Sequence, residues 1–270
     1  MKLSIITINW NNAEGLKKTI ESVVLQKNLD FEYIVIDAES TDGSIEIIKQ
    51  YENSITYWKS EPDSGIYNAM NKGIKQAQGD YCLFLNSGDW LKEQALSRIL
   101  RQCTGEDIIY CNMYLSYDAL RFQELKYPIN LTLNDFYKTA IGHQSTFIKT
   151  HLFVKYGMYN ENYKIHSDYD FWLKTIIIGN CSYKYIDEFL SYYDMGGRSS
   201  KPSKHTRREM KSILTQYFPK RVLDDYENWS KEREEMQIMY WVKSKKILYS
   251  ITKIVFKMAT KFVSLKKRIK

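Results

Sequence analysis

The sequence predicts an α/β protein: a mixed, mainly parallel sheet flanked by helices, followed by a C-terminal helical amphipathic extension. Three observations carry that prediction. Short apolar runs alternate with helically spaced stretches four times before residue 105, each run ends in a polar residue or loop, and the chain reads helical from residue 203 onward. With 270 residues there is room for one large α/β domain with an appendage, and two full domains would be a squeeze.

The elements follow in order. Leu3 to Ile8 form an apolar run ending in Asn9-Trp10-Asn11-Asn12, and Leu16, Ile20, Val23 and Val24 then recur at helical spacing. Tyr33-Ile34-Val35-Ile36 ends at Asp37, and the loop Ser40-Thr41-Asp42-Gly43 leads into a helix carrying Ile45, Ile47 and Ile48, capped by Thr41 or Asp42. A third strand is expected over about 55–58, a helix over 65–77, and a fourth strand, Tyr81 to Leu85, runs into Asn86-Ser87-Gly88-Asp89. Beyond 105 the spacing predicts strands near 108–114 and 144–149, a Tyr-rich irregular stretch between them, a helix from Asp168 through Ile178 and a strand near 183–187. The loop Gly196-Gly197-Arg198-Ser199-Ser200 has the composition of a mobile lid. Right-handed crossovers place every parallel strand's carboxyl end on one edge, where open sheets bind ligands, so Asn9, Asp37 and Asp89 are expected to converge on one cleft.

Several chemistries are excluded. Cys82, Cys103, Cys111 and Cys181 show no CxxC spacing and no neighbouring His cluster, which argues against zinc and redox sites and for reduced, buried thiols. No GxGxxG follows the first strand and no phosphate-binding GxxxxGK[ST] occurs, so phosphates must be held otherwise. A divalent cation on a carboxylate is the usual alternative, and Asp89 is placed for it, although an N-cap or turn role is open. The aromatic content of 14%, with 22 Tyr, suits sugar or base stacking as well as packing. The first apolar run is too short for a signal-peptide core, and no stretch reaches the roughly 18–20 uncharged apolar residues of a membrane span, so a cytoplasmic location is expected.

The ordered set Ser4-Ile5-Ile6-Thr7 with Trp10-Asn11-Asn12, Ile36-Asp37 with Ser40-Thr41-Asp42-Gly43, Glu61 to Tyr67 with Ala69 to Gly73, and Gly79-Asp80-Tyr81 before Leu85 to Asp89 resembles family 2 glycosyltransferases of the GT-A (Rossmann-like) fold, especially the branch from bacterial capsule, O-antigen and exopolysaccharide gene clusters. The resemblance runs from about residue 2 to about 200 and divides that domain into a nucleotide-binding half (1–105) and an acceptor half (106–200). It implies that Asn9 and Trp10 lie against the base and that Asp37 accepts from it, a carboxylate suiting a uracil-type N–H; capping of the following loop is the alternative for Asp37. Asp63, Asn68 and Asn71 would line the nucleotide-sugar cleft with Asn86, Ser87 and Gly88, and Asp89 would hold Mg²⁺ or Mn²⁺. The sequence departs from the family there, because Asn86 and Gly88 stand where carboxylates are common, so metal affinity without nucleotide should be weak. In His166-Ser167-Asp168-Tyr169-Asp170, Asp168 aligns with the catalytic base of an inverting transfer, with Asp170 as the competitor. His143 and Gln144 are candidates for touching acceptor or phosphates, and Gly197, Arg198 and Ser199 for closing over the pyrophosphate; ordinary core or loop roles are the alternatives.

The formal charge of +7 sits mostly at the end of the chain. From Trp241 to Lys270 there is no Asp or Glu, while lysines alternate with Ile247, Leu248, Ile251, Ile254, Val255, Met258, Phe262 and Leu265 at helical spacing. A helix over about 241–268 with that division should lie on an anionic membrane, peripheral to the inner face of the cell membrane, unless it packs on the 1–200 domain or a partner subunit. Nucleic acid is not expected, because aromatics are not interleaved with the basic residues as stacking platforms. The combined expectation is an inverting transferase moving a sugar from a nucleotide-diphosphate donor, UDP-linked, to a lipid-linked or oligosaccharide acceptor; a non-catalytic membrane-associated scaffold binding sugar nucleotides is the rival from another class.

Overall fold

In the computed structural model, which describes residues 2–26, 29–197 and 204–268, strand β1 (Leu3–Asn9) is buried along its whole length. It is flanked by two parallel neighbours, β2 (Phe31–Asp37) and β4 (Tyr81–Phe84). Strand β3 (Tyr57–Ser60) continues the parallel set beyond β2. Period-two alternation then decides which helix meets which face. Ile5, Val35 and Leu83 join the core under α1 (Ala13–Val24) and α2 (Ser44–Gln50), which contribute Leu16, Ile20, Val23 and Ile48. Ile6 and Ile36 point the other way, against Gly73 of α3 (Ile66–Gln76). In α1 the buried residues Leu16, Thr19, Ile20 and Val23 form one helical stripe.

The second half breaks the parallel pattern. Two-stranded bonding of β5 (Trp90–Leu91), then α4 (Ala95–Leu100), β6 (Ile108–Ser116), β7 (Phe122–Leu125), α5 (Leu133–Lys138), β8 (Thr146–Lys149), α6 (His151–Lys155), α7 (Ser167–Trp172) and β9 (Tyr183–Asp194) completes the sheet. The order is β3-β2-β1-β4-β8-β6-β9-β5, with β7 on β6. β8 runs antiparallel to β4 and β6, β9 parallel to β6, and β5 antiparallel to β9. The expected α/β architecture with a mixed, mainly parallel sheet is the one found.

Three expectations are corrected. The strand near 183–187 continues to Asp194; a bulge opposite Cys111, Asn112 and Met113 shifts its register, and this irregularity hides the continuation from an alternation test. The helix from 168 to 178 is regular only to Trp172 and closes with π-helical turns over Leu173–Ile178. The C-terminal extension is three helices, α8 (Lys204–Tyr217), α9 (Lys220–Ser244) and α10 (Lys246–Arg268). The expected 241–268 helix is interrupted at Lys245, whose backbone is extended, and Ser244 Oγ donates to the Trp241 carbonyl there. The chain divides into two compact units, Met1–Ile213 and Leu214–Lys270.

A buried carboxylate ties the lower edge of the sheet together. Glu32 on β2 accepts from the Ser4 hydroxyl and from the N–H groups of Gln78 and Gly79, and Gly79 N also donates to Ser4 Oγ at 2.9 Å. A Cβ at position 79 would sit 2.5 Å from Ser4 Oγ and 2.7 Å from the Ser4 backbone nitrogen, which cannot swing aside. Gly79→Ala is therefore expected to lower stability by about 1–3 kcal/mol. Urea unfolding should show a lower midpoint with an unchanged slope.

Candidate functional site

The carboxyl ends of β1, β2 and β4 and the far end of β9 meet on one edge. The first two βα loops are knitted to each other: Thr41 N donates to Asn11 Oδ1 at 2.8 Å, Asn11 N to Ser40 Oγ at 2.8 Å and Ala13 N to Asp42 Oδ2 at 2.8 Å. Asp37 lies under this junction with none of its surface exposed. One oxygen accepts Asn9 Nδ2 at 2.7 Å, and the other accepts Ser40 N at 2.9 Å and Ser60 Oγ at 2.7 Å. Both oxygens are thus engaged within the protein, and the loop-capping alternative for Asp37 is the one these bonds describe. The consequence falls on Asn9, whose amide nitrogen is fixed by Asp37 while its buried Oδ1 is left without a partner. Trp10, 54% exposed, follows it in the chain. Asp63 is half-buried and accepts Gly65 N at 2.9 Å, and burial together with the charge of Asp37 raises its pKa.

Asn68 and Asn71 are engaged by the 159–161 loop. Asn71 is buried, its Nδ2 donating to Tyr159 O and Glu161 Oε1 and its Oδ1 accepting Tyr159 N, and Asn68 Nδ2 donates to Glu161 Oε2 at 2.8 Å. Both amides clamp the 159–161 loop onto α3. Helical spacing put the two residues on one face, but could not say which side of α3 that face met.

Helix α1 braces the segment after β4. Asn12 caps α1 through Gly15 N and donates its Nδ2 to Ser87 O at 3.0 Å, while Thr19 Oγ1 donates to Asp89 O at 2.6 Å and accepts Gly88 N at 3.0 Å. Gly88 has a φ of +106°, and a Cβ there would lie 3.1 Å from Asp194 Oδ2. Asp194, 105 residues beyond Asp89 in the chain, thus enters the site at the end of β9, and its N–H donates to Asp89 Oδ1 at 2.9 Å. Sequence reading missed it because it belongs to no local motif. The Asp194-Met195-Gly196-Gly197 turn after an aromatic run was the available signal; Gly196 N closes on Asp194 Oδ1 at 2.9 Å, and Gly197 N approaches the Asp194 carbonyl. Arg198 and Ser199 lie outside the described residues.

The turn His143–Ser145 joins the two chemically important carboxylates. Gln144 hydrogen-bonds Asp89, and His143 Nδ1 lies 3.1 Å from Asp168 Oδ2. His143 Nε2 faces the Asn86 amide at 3.3 Å, and because an ionised carboxylate only accepts, Nδ1–H is the donor to Asp168. Asp168 Oδ1 accepts Tyr169 N at 2.9 Å and faces the Tyr67 hydroxyl at 3.1 Å. His143 and Gln144 therefore hold protein carboxylates, which is the structural role they serve here.

The two carboxylates are driven in opposite directions. Burial, joined by the charge of Asp194, raises Asp89 to about 6 despite its donors. Burial also works to raise Asp168, but His143, the Tyr169 N–H and Tyr67 outweigh it and hold the group below its ordinary value. Asp168 is thus an ionised acceptor with 16% of its side chain open. Asp170 has a side chain 2% exposed and an ion pair to Lys174 Nζ at 2.6 Å, a structural engagement that favours the more open Asp168 over it as the base and over an acceptor or lid role for it.

Residues 4–167 match the model of the family described as glycosyl transferase family 2. The chain is 32% identical over 181 residues to an uncharacterized glycosyltransferase of Mycobacterium tuberculosis, covering 65% of this chain and 69% of that protein. It is 28% identical over 205 residues to a PGL/p-HBAD biosynthesis glycosyltransferase of Mycobacterium bovis, covering 73% and 78%. In fold it is similar to S. aureus TarS residues 1–349 in complex with UDP, with a TM-score of 0.63 at 20% identity over 80% of this chain and 65% of that one; it spans 39% of the longer TarS chain. With the family model matching more than half of its 270 residues, the chain belongs to glycosyl transferase family 2 and is a nucleotide-sugar-dependent glycosyltransferase.

Proposed function

We propose that the enzyme transfers a sugar with inversion from a UDP-sugar to a lipid-linked or oligosaccharide acceptor in cell-surface glycan assembly, of which capsule, O-antigen or exopolysaccharide synthesis is the narrower form that the motif order favours. The observation that carries the reading is the His143-Gln144 turn, whose successive side chains reach Asp168 and Asp89 and so hold an ionised base and a diphosphate-side carboxylate in one site. Asp168 accepts the proton of the acceptor hydroxyl as that oxygen attacks the anomeric carbon, and the nucleoside diphosphate leaves from the opposite side. Its Nδ1–H partner His143 and the Tyr169 N–H keep the carboxylate oriented and charged until then. The unpartnered Asn9 Oδ1 suits the imide N–H of uracil, with Trp10 against the ring, which supports UDP over nucleotides lacking that donor; TarS, the neighbour in fold, binds UDP.

Among the described residues no group of three or more His, Cys, Asp or Glu is placed to hold a metal. Asp89 and Asp194 nonetheless fit Mg²⁺ or Mn²⁺ shared with the diphosphate, because these ions need few protein groups and two adjoining carboxylates at Gly88 have a mutual repulsion that a cation relieves. When bound, the cation neutralises charge on the departing diphosphate. No helix among the described residues is long and apolar enough to cross a membrane. The exposed Ile251, Ile254, Val255, Phe256 and Met258 of α10, beside Lys246, Lys253 and Lys257, support contact with an anionic membrane surface at its cytoplasmic side.

Three outcomes are expected. Asp168→Asn should lower kcat for transfer or hydrolysis of UDP-sugars by about 10²–10⁴ while leaving UDP affinity unchanged, and undiminished turnover removes Asp168 as the base. In calorimetric titration, Mn²⁺ should strengthen UDP binding, and Asp89→Asn and Asp194→Asn should each weaken the Mn²⁺-dependent component by at least about tenfold. Replacing Lys246, Lys253 and Lys257 by Glu should weaken binding to phosphatidylglycerol vesicles roughly 100-fold, with little change on phosphatidylcholine; unchanged sedimentation with both would place α10 against protein instead.

A further inference from the structure

The structure assigns Glu209 on α8 as a positioning residue that sets the basicity of Asp168 through the 165–166 peptide group and the Tyr67 hydroxyl. The inference rests on the proposed role of Asp168 for its meaning in catalysis, although the relay itself is a property of the free protein.

Glu209 belongs to no motif of the sequence. Its side chain is only 8% exposed, and it accepts three successive backbone N–H groups, those of Lys164 at 2.6 Å, Ile165 at 3.0 Å and His166 at 3.0 Å, together with His166 Nδ1 at 3.1 Å. Burial works to raise its pKa, and these four donors outweigh it and keep the carboxylate below its ordinary range. It is a permanent negative charge at the entrance to α7, two residues before Asp168.

The next link is the carbonyl on the other side of the same peptide. The His166 N–H bound by Glu209 and the Ile165 C=O form one amide group, and Ile165 O accepts the hydroxyl of Tyr67. An amide whose N–H donates to an anion carries more negative charge on its oxygen, so the Ile165 carbonyl is a stronger acceptor than an ordinary one. Tyr67 has one proton and two acceptors, Ile165 O and Asp168 Oδ1 at 3.1 Å. The more strongly the carbonyl competes, the less of that proton Asp168 receives, and a carboxylate given less hydrogen bonding is the stronger base.

The remaining groups that face Asp168 do not connect to Glu209. His143 Nδ1 approaches from the 143–145 turn, the Tyr169 N–H from α7 itself, and the hydroxyls of Tyr127 and Tyr159 add electrostatic interaction from the loops after β7 and α6. Tyr67 is buried, with its pKa raised well above its ordinary value by burial first and Asp168 second, so it stays protonated and serves as a donor.

The test reads Asp168 directly. The full chain is labelled with ¹³C-carboxyl aspartate, Asp168 is assigned by its loss in Asp168→Asn, and its titration is followed in the wild type, Glu209→Gln, Tyr67→Phe and the double variant. Glu209→Gln keeps the size and an acceptor oxygen, and should lower the Asp168 pKa by about half a unit to one unit. In the Tyr67→Phe background the same change should move it by much less, because the relay is cut. An equal shift in both backgrounds would mean that Glu209 acts through space alone and would overturn the relay, as would no shift in either. Thermal midpoints measured alongside identify a variant that fails to fold, and Glu209→Asn, likewise neutral and with an acceptor oxygen, then replaces Glu209→Gln in the same comparison. Because the titration uses no substrate, its failure is distinct from failure of the base assignment, which Asp168→Asn turnover decides.

Discussion

A carboxylate taken out of water keeps its charge only where donors or cations surround it, and the site depends on three that are wholly or largely withdrawn from solvent: Asp37, Asp89 and Asp168. Each is solved differently. Asp37 is held on both oxygens by side chains and an N–H beside it, which makes it a fixed part of the scaffold and leaves Asn9 Oδ1 as a buried acceptor without a partner. Asp168 is surrounded by His143, Tyr67 and its own helix, so it is charged and still partly open. Asp89 has donors in Gln144 and Asp194 N, but burial, joined by the second carboxylate beside it, leaves it raised, the condition in which an added cation is most favourable.

How legible this was in the sequence depended on distance along the chain. The first four strands and three helices follow from apolar runs and helical stripes, because each crossover is local and β1, β2 and β4 are buried on both faces, with β3 half-buried at the edge. The edge that gathers Asn9, Asp37 and Asp89 follows from parallel connection alone. What those side chains do there did not follow. The engagement of Asp37 depends on Ser60, which arrives from β3, and the clamping role of Asn71 depends on Tyr159 and Glu161, more than eighty residues away. A motif records which residues recur at a site; it does not record which of their atoms already have partners.

The second half resists sequence reading for a structural reason. Its strands are antiparallel or bulged, so neither βα alternation nor strict period two persists long enough to be recognised. The bulge in β9 is also what matters most. By carrying the strand on to Asp194 with a shifted register, it brings a second carboxylate to Gly88, where the sequence motif itself offers no acid. The acidic character that Asn86 and Gly88 remove locally is thus restored from a distant strand. Gly88 is required twice over, for its positive φ and for the approach of Asp194 Oδ2.

The same division explains how binding and chemistry are kept separate. Asn9 ends β1, and Trp10 and Asp63 follow on short loops of the parallel half, the first two of which are tied to one another, whereas Asp168 is held by residues from α3, from the 143–145 turn and, through the 164–166 backbone, from α8. A base supported by three separate elements responds to displacement of any one of them, while the loops that hold Asn9 do not. Changes at the acceptor side should therefore reach the reactivity of Asp168 before they reach nucleotide affinity. The Glu209 carboxylate is the clearest case, since it is bound by the 164–166 backbone and His166 and meets the base through one peptide group and one tyrosine.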